Sequence, residues 1–251
     1  HNVDTPLLLI IEDNRDVITY IETLLAPHYR LVISHDGETG IEQAFEQIPD
    51  IILSDVMIPG KNGFELCGIL KNDERTSHIP IILLTAKAKT EDRIKGLKLG
   101  ADAYLTKPFN QEELLVRLQK LLELRSHLQE KYTVPGGLLD EPATNLEDVF
   151  IQKMRSLIEA RLEDVTLNVK DLEGAANLSN MQLNRKLKAL TGKTPSSFIR
   201  LVRLQKARVL LTTTDLYISQ VAYEVGFKDP AYFTRTFSKA FGVSPSDFRK
   251  K

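Results

Sequence analysis

Four polar sites in the first 110 positions each lie just past a short apolar run. In chain order, the side chains that follow these runs are Glu12 and Asp13, Asp55, Thr85, and Lys107. Short apolar runs separated by helical patterns are typical of parallel strands that are buried on both faces. In an open α/β sheet, functional groups gather beyond the carboxyl ends of such strands. The sequence therefore predicts that three carboxylates, a hydroxyl and an ammonium meet in one crevice.

The first half of the chain alternates strand patterns with helical patterns. Strands are predicted near 7–12, 30–34, 50–55, 80–85 and 102–106, and helices near 15–26, 37–47, 63–72, 90–99 and 110–128. Alternating strand–helix units form a parallel sheet through right-handed crossover connections. We therefore predict an α/β domain with a five-stranded parallel sheet over residues 1–128.

A linker is predicted to separate this domain from an all-α second half. Residues 129–146 are assigned to the linker, because the sequence there lacks periodicity and contains Pro135-Gly136-Gly137. Residues 147–251 show helical patterns and no convincing strand pattern. The predicted fold class is thus α/β plus all-α.

The all-α half contains an internal repeat at an offset of 50 residues. Residues 190–198 match residues 240–248, and each copy contains a Thr-Pro or Ser-Pro pair. Such a pair supplies a helix N-cap and a proline at the first helical position. Each repeat combines a short helix, a tight turn and a second helix, so we predict two helix-turn-helix motifs at about 168–190 and 218–240.

The net charge of −1 conceals a strong asymmetry between the two halves. Residues 1–125 carry 14 Lys and Arg against 20 Asp and Glu, whereas residues 168–251 carry 15 against 6. An acidic half joined to a basic half indicates that the second half meets a polyanion.

The cysteine, histidine and hydropathy patterns limit the class of protein. The single cysteine, Cys67, cannot form an internal disulfide, which favours a reducing compartment such as the cytoplasm. Its helical spacing with Phe64 and Leu70 predicts a thiol that faces the core. The five histidines lack the spacing of zinc ligands. No apolar stretch reaches the roughly 18 residues that a membrane-spanning helix needs.

The crevice predicted in the first half has the composition of a phosphate-accepting site. Three ionised carboxylates would repel one another, and a hard divalent cation such as Mg2+ would relieve this repulsion. The ion could also neutralise charge on an incoming phosphoryl group. Asp55 is the candidate nucleophile that forms an acyl phosphate. Lys107 could hold one phosphoryl oxygen, and Thr85 could donate its hydroxyl to another.

These motifs resemble the signature of response-regulator receiver domains, which have a flavodoxin-like (βα)5 fold. The resemblance is carried by Glu12-Asp13, Asp55, Thr85-Ala86 and Lys107-Pro108-Phe109, and by the stretch from Leu53 to Phe64. It covers roughly residues 5–125. It implies that Asp55 accepts phosphate from a histidine kinase and that Mg2+ binds Asp13, Asp55 and the backbone carbonyl of Met57, with help from Glu12.

The same resemblance implies how phosphorylation is reported. Thr85 and Tyr104 resemble the family's switch pair, in which the hydroxyl turns to the phosphate and the aromatic ring moves inward. This change reshapes the face formed by the predicted helices near 90–99 and 110–128 and the strand near 102–106. The bond between Lys107 and Pro108 resembles the family's cis peptide.

A phosphatase is the alternative interpretation of the first half. Some Mg2+-dependent phosphatases also use a strand-end aspartate nucleophile, a threonine or serine and a lysine. They place a second aspartate two residues after the nucleophile as general acid, whereas this chain has Met57. They also need a substrate-capping insertion, and the loops here are short. As a receiver, the chain is expected to be no enzyme beyond promoting its own phosphotransfer and dephosphorylation.

The second half resembles AraC/XylS-type DNA-binding domains over about residues 147–251. The closest stretches are Val221 to Phe227, Tyr232 to Phe237 and Phe241 to Pro245. The family sets two recognition helices into successive major-groove segments, about 34 Å apart. The resemblance implies these DNA-reading residues: Met181, Asn184, Arg185, Ala231, Tyr232, Thr234 and Arg235. Contacts with phosphates are a further possibility for Lys188, Arg203 and Lys239, for which a solvated face is the alternative.

We expect a phosphorylation-dependent transcription regulator of a two-component system. Its expected partners are double-stranded operator DNA, a histidine kinase, a second copy of the chain after phosphorylation, and RNA polymerase. The domain order also resembles the C-terminal end of hybrid two-component sensors. The start at His1 rather than methionine fits a segment of such a protein, whose kinase would share the polypeptide and whose full length could be anchored in the inner membrane. It also fits a trimmed stand-alone regulator.

Overall fold

The computed structural model describes residues 5–86, 99–133 and 142–250, except for the side chains of residues 126–128. The chain forms two compact units, His1–Gln129 and Glu130–Lys251. The predicted helix near 90–99 and the middle of the predicted linker lie outside the described residues, apart from Leu99. Within the described ranges, no helix combines the length and the apolar character that crossing a bilayer requires.

A five-stranded parallel sheet forms the centre of the first unit. Its strands are β1 (Leu7–Ile11), β2 (Arg30–Ser34), β3 (Ile51–Asp55), β4 (Ile81–Thr85) and β5 (Ala103–Thr106). They lie in the order β2-β1-β3-β4-β5, so the chain crosses from one side of β1 to the other between β2 and β3. Ile11 pairs with Ser54 in register, and the carboxyl ends of β1 and β3 therefore meet. The predicted fold class of the first half is confirmed.

The helices of the first unit start at side-chain caps. Within the described ranges they are α1 (Arg15–Leu25), α2 (Gly37–Gln47), α3 (Gly63–Asn72) and α4 (Gln111–Thr133). Asn14, Asp36 and Asn62 each accept hydrogen bonds from the amides of the first turn of α1, α2 and α3. Helix α4 is longer than the predicted helix near 110–128 and includes the first five residues assigned to the linker.

Alternate residues of the strands face two hydrophobic clusters on opposite sides of the sheet. Leu9 and Ile11 belong to one cluster, and Leu8 and Ile10 to the other. Cys67 is fully buried in the first cluster, which confirms the predicted core-facing thiol. Burial raises the pKa of this thiol to about 11, so it is not a reactive nucleophile.

The second unit is helical, as predicted. After the last turn of α4 it comprises α5 (Leu146–Ala160), α6 (Val169–Ala176), α7 (Asn180–Thr191), α8 (Pro195–Thr213), α9 (Ile218–Glu224), α10 (Pro230–Phe241) and α11 (Pro245–Arg249). Helices α6 and α7 form the first helix-turn-helix motif, and α9 and α10 form the second. Gly192 and Gly242 end α7 and α10 in the left-handed conformation, with φ of 66° and 72°. Equivalent ends 50 residues apart agree with the predicted repeat.

Each helix-turn-helix motif has its own hydrophobic core. The first core includes Phe150, Leu172, Leu183 and Leu187, and the second includes Val221, Phe227, Phe233 and Phe237. Tyr132, from the last turn of α4, belongs to the first core and is 1% exposed. Its burial explains why α4 continues beyond the predicted end, because this side chain packs against partners that lie far along the chain.

Candidate functional site

A half-buried lysine joins two carboxylates at the carboxyl edge of the sheet. Lys107 Nζ donates hydrogen bonds to Glu12 Oε2 at 2.5 Å and to Asp55 Oδ2 at 2.7 Å. Glu12 is 1% exposed and Asp55 is largely buried, whereas Asp13 is exposed. Glu12, Asp13 and Asp55 each have a carboxylate oxygen within 4.8 Å of the others. The structure thus brings together four side chains that the sequence predicted to converge.

Backbone hydrogen bonds between neighbouring strand ends hold this arrangement. The amide of Val56, directly after Asp55, donates to the carbonyl of Leu84 at 2.9 Å, and the amide of Lys107 donates to the carbonyl of Thr85 at 2.7 Å. The Lys107–Pro108 peptide bond is cis, as the resemblance implied. The lysine and the aspartate are therefore carried by backbone segments that are bonded to the same strand, β4.

The buried charges perturb each other's protonation. Burial raises the pKa of Glu12 above its ordinary value, and the hydrogen bond from Lys107 only partly opposes this effect. Burial disfavours the charged form of Lys107, but its hydrogen bonds to Asp55 and Glu12 outweigh burial, so the pKa of Lys107 is raised. The ammonium stays charged at neutral pH. One positive charge faces three acidic groups, an arrangement that favours binding of a cation.

The loop that follows Asp55 shapes the mouth of the site. Met57 donates its amide to Asp55 Oδ1 at 3.3 Å, and its side chain is 75% exposed. A Cβ at Gly63 would lie 2.5 Å from the carbonyl oxygen of Asp55, so only glycine allows the first residue of α3 to pack so close to the acceptor. Asn62 caps α3 and completes a capping box with Glu65.

Thr85 and Tyr104 occupy the positions at which the sequence predicted a switch pair. Leu84 of β4 pairs in register with the acceptor Asp55 of β3. Thr85 therefore follows directly after the residue that pairs with Asp55. Tyr104 packs against the cluster that contains Leu83. Its hydroxyl is buried without a hydrogen-bond partner among the described residues, and burial raises its pKa to about 12. The ring is therefore turned inward in this structure.

Sequence reasoning missed the part that Asn14 plays in the site. Its amide donates to Glu12 Oε1 at 3.2 Å, while its side chain caps α1 by accepting from Asp16 and Val17. The carboxylate of Glu12 is thus held from two sides, by this amide and by Lys107. An asparagine placed just before a helical pattern signals an N-cap, but not that its own amide binds the preceding glutamate.

The predicted DNA-reading residues lie on α7 and α10. The exposed ones are Met181, Lys188, Ala231, Tyr232 and Arg235, and the half-buried ones are Asn184, Arg185 and Thr234. The opposite faces of the two helices carry Leu183 and Leu187, and Phe233 and Phe237, in the hydrophobic cores. Each helix therefore presents a polar face outward, in the manner of a recognition helix.

Two of the residues considered for DNA contact, Thr234 and Arg203, donate hydrogen bonds within the unit, and a third, Asn184, has a buried polar atom. The Oδ1 atom of Asn184 is buried without a hydrogen-bond partner among the described residues, and the hydroxyl of Thr234 donates to the carbonyl of Pro230 at 2.9 Å. Arg203 donates to the backbone carbonyls of Gly226 at 3.0 Å and Asp164 at 2.7 Å. The interpretation of Arg203 as a solvated surface residue is wrong, because its guanidinium forms hydrogen bonds inside the unit.

Comparison with known families agrees with this division of the chain. The family described as response regulator receiver domain matches residues 8–119, and the family described as helix-turn-helix domain matches residues 172–251. The first match contains all the residues of the carboxylate cluster together with Thr85, Tyr104 and Lys107. The second contains both predicted recognition helices.

Similar proteins include a histidine kinase and a response regulator. Histidine kinase P4 of Formosa agariphila is 34% identical over 97% of this chain, which spans 18% of that protein. Response regulator ArlR of Staphylococcus saprophyticus is 38% identical over 54% of this chain and 60% of that protein. The chain thus spans less than two thirds of either relative.

Among solved structures, the receiver domain of a sensor histidine kinase from Pseudomonas aeruginosa, with a magnesium ion in its active-site cleft, is 35% identical. The match covers 46% of this chain and 96% of that one, with a TM-score of 0.44. The two family matches are consistent with the strand order, the cluster of acids around Lys107 and the paired helix-turn-helix motifs. The chain thus contains a response regulator receiver domain at residues 8–119 and an AraC-type helix-turn-helix domain at residues 172–251.

Proposed function

We propose that this protein is a phosphorylation-dependent transcription regulator, in which Asp55 accepts phosphate from a histidine kinase and the second unit binds operator DNA. The observation that carries the proposal is the Lys107 ammonium bonded to both Asp55 and Glu12 within a cluster of three acids. The kinase could belong to a separate protein or to the same polypeptide.

Asp55 has the surroundings that an acyl-phosphate acceptor needs. In the transfer, a carboxylate oxygen of Asp55 forms a bond to phosphorus as the phosphorus–nitrogen bond of phosphohistidine breaks, and the imidazole keeps the electron pair. Lys107 Nζ already lies 2.7 Å from Asp55 Oδ2, so its ammonium can bind a phosphoryl oxygen with little movement. The hydroxyl of Thr85 would donate to a second phosphoryl oxygen.

The acidic cluster fits a magnesium ion. Carboxylate oxygens of Glu12, Asp13 and Asp55 lie within 4.8 Å of one another, and the backbone carbonyl of Met57 would add a neutral oxygen. Mg2+ prefers oxygen ligands and usually keeps several waters, which suits a site where Asp13 is exposed. When bound, the ion would neutralise charge on the transferred phosphoryl group.

Tyr104 and Thr85 would pass the state of Asp55 to the surface of the receiver. The Tyr104 hydroxyl makes no hydrogen bond to another described residue, so among these residues no hydrogen bond of the hydroxyl opposes movement of the ring. A turn of the Thr85 hydroxyl towards the phosphate would change the space beside the ring. We propose that this change favours a homodimer, which would place two DNA-binding units on repeated sites and raise affinity through effective concentration.

The second unit would read DNA with the outer faces of α7 and α10. The candidate contacts are Met181, Asn184, Arg185, Lys188, Ala231, Tyr232, Thr234 and Arg235. The excess of nine positive charges over residues 168–251 would attract the phosphate backbone. RNA polymerase is a further candidate partner, and a cytoplasmic location follows from the need to meet both the kinase domain and DNA.

The phosphatase alternative lacks an acid at the position where it is needed. Met57 stands two residues after Asp55 and carries no proton that it could give to a leaving group. No described feature favours this alternative over the receiver.

Incubation with acetyl phosphate and Mg2+ tests the proposal. We expect phosphate to be incorporated at a single acid-stable, hydroxylamine-sensitive site. Asp55→Asn should abolish incorporation, and Asp50→Asn, which removes a carboxylate elsewhere in the same unit, should not. Incorporation at wild-type rates in Asp55→Asn would refute the assignment of the acceptor. Failure of the full chain to select any duplex from a random DNA library would refute the proposed DNA binding.

A further inference from the structure

The helix that joins the two helix-turn-helix motifs changes its partners at Arg203. Before this position, the buried residues Phe198, Ile199 and Val202 of α8 belong to the core of the first motif. After it, Leu204, Ala207 and Leu211 belong to the core of the second motif. Arg203 therefore lies at the junction between two separate cores that share one helix.

The guanidinium of Arg203 holds one backbone carbonyl on each side of this junction. Nη2 donates to the carbonyl of Asp164 at 2.7 Å, in the loop that leads into the first motif. Nη1 donates to the carbonyl of Gly226 at 3.0 Å, in the turn of the second motif. The Arg203 side chain thus bridges the two motifs through two backbone carbonyl oxygens, which are present whatever side chains those residues carry.

The loop on the first side is itself fixed. The carboxylate of Asp164 accepts from Arg161 Nη2 at 2.7 Å and from the hydroxyl of Thr166 at 2.6 Å. Arg161 also binds Asp171, in the first turn of α6, at 2.7 Å. The carbonyl that Arg203 holds is therefore linked by hydrogen bonds to the start of the first motif.

The turn on the second side lies directly against the guanidinium. Gly226 has φ of +76°, and a Cβ there would lie 2.4 Å from the carbonyl oxygen of Leu162 and 2.8 Å from Arg203 Cζ. Leu162 also packs against the core of the second motif. Glycine is needed here both for the left-handed backbone and for the close approach.

We infer that Arg203 is a positioning residue that fixes the second helix-turn-helix motif relative to the first and thereby sets the operator spacing that the protein accepts. The inference rests on the proposed DNA binding. Two recognition helices that enter successive major-groove segments must be one helical turn apart, and one added base pair moves the second site by about 3.4 Å and rotates it by about 35°. A rigid connection between the motifs would not tolerate this change.

An arginine suits this task better than a lysine of equal charge. The planar guanidinium directs several N–H groups in a fixed fork, so that it can bind two carbonyls at once, whereas an ammonium is a compact charge on a flexible chain. Arg203→Lys therefore keeps the charge and removes the double contact. Arg200→Lys makes the same change at an exposed position of the same helix and is the matched control.

The test uses the full chain and a DNA duplex that the wild-type protein has selected from random sequences. The duplex contains two half elements, one for each helix-turn-helix motif. Affinity is measured for the selected spacing, for one inserted base pair and for a single half element. Wild type and Arg200→Lys should prefer the selected spacing by roughly 100-fold, since tethered modules gain this much when both engage. For Arg203→Lys we expect the preference to fall below roughly tenfold, with unchanged affinity for the single half element.

Several outcomes would overturn the inference. A spacing preference in Arg203→Lys equal to that of wild type would do so. So would an equal loss of affinity for the single half element, which would indicate a damaged fold or a lost phosphate contact rather than lost positioning. Should Arg203→Lys unfold, Gly226→Ala displaces the same contact from the other side, and a wild-type spacing preference in that variant would refute the inference. Absence of DNA binding by wild type would instead refute the proposed function on which the inference rests.

Discussion

Replacing Asp148 with asparagine removes a negative charge from the interior of the second unit. The side chain of Asp148 is 1% exposed and accepts hydrogen bonds from Lys131 Nζ at 2.7 Å and from the hydroxyl of Tyr132 at 2.9 Å. Thr144 donates from its hydroxyl at 2.8 Å and from its amide at 3.1 Å. An asparagine has a single acceptor oxygen, so the substitution would leave buried donors unpaired.

The size of the effect follows from the protonation of Asp148. Burial alone would raise its pKa, but hydrogen bonds from Lys131, Thr144 and Tyr132 outweigh burial and lower the pKa from 3.8 to about 2. One pH unit corresponds to about 1.36 kcal/mol, so the ionised carboxylate stabilises the folded unit by about 2 kcal/mol at neutral pH. Because the folded pKa lies below the unfolded one, this stabilisation is present above about pH 4 and is lost as the pH falls through about 2.

Hydrogen exchange of the core amides in α8 measures the free energy of opening of the second unit in the intact chain. We expect Asp148→Asn to lower this free energy by about 2–3 kcal/mol at pH 7. The control Asp215→Asn removes an exposed carboxylate and should change it by less than about 0.5 kcal/mol. The reasoning would be refuted if both substitutions changed the free energy of opening equally little. It would also be refuted if the stability difference between Asp148→Asn and wild type were as large near pH 2 as at pH 7.

Two further predictions concern the two candidate sites. Gly63→Ala would place a Cβ 2.5 Å from the carbonyl oxygen of Asp55. We expect thermal unfolding to show that the free energy of unfolding falls by about 1–3 kcal/mol, and we expect phosphorylation to slow. The control Gly68→Ala, whose Cβ would meet only an ordinary contact at 3.6 Å, should behave like wild type. Arg235→Ala should weaken binding to the selected operator by roughly 1–3 kcal/mol relative to random DNA, as measured by fluorescence anisotropy. Lys170→Ala, at an exposed position outside the recognition helices, is its control, and equal discrimination in both variants would exclude Arg235 as a reader.

The sheet of the first unit could be predicted because its signals are local. Each strand is a mostly apolar run that ends at or directly before a polar side chain, and the structure places the strands within one or two residues of the predicted limits. The caps of α1 and α3 are asparagines directly before helical patterns, a signal that needs no tertiary information. The family signature adds the order in which acids, hydroxyl and lysine occur along the chain.

The end of α4 could not be predicted, because its stabilisation is not local. The segment around Tyr132 lacks helical periodicity, yet Tyr132 is buried and binds Asp148, 16 residues away. The local sequence pattern cannot reveal a hydrogen-bond partner that is distant in sequence. The same holds for Asn14, whose amide binds Glu12 only because α1 begins at the edge of the site.

The alternation of strands and helices, the identity of the acids and the lysine, and the doubling of the helix-turn-helix motif are properties of the sequence itself, since each depends on residue type and spacing along the chain. Tertiary structure alone decided that Lys107 binds Glu12 and Asp55 at once and that Arg203 binds two carbonyls instead of water. The physical reason is that a long side chain forms hydrogen bonds with whichever groups folding brings within about 3 Å of it. Those groups come from segments that are remote in sequence.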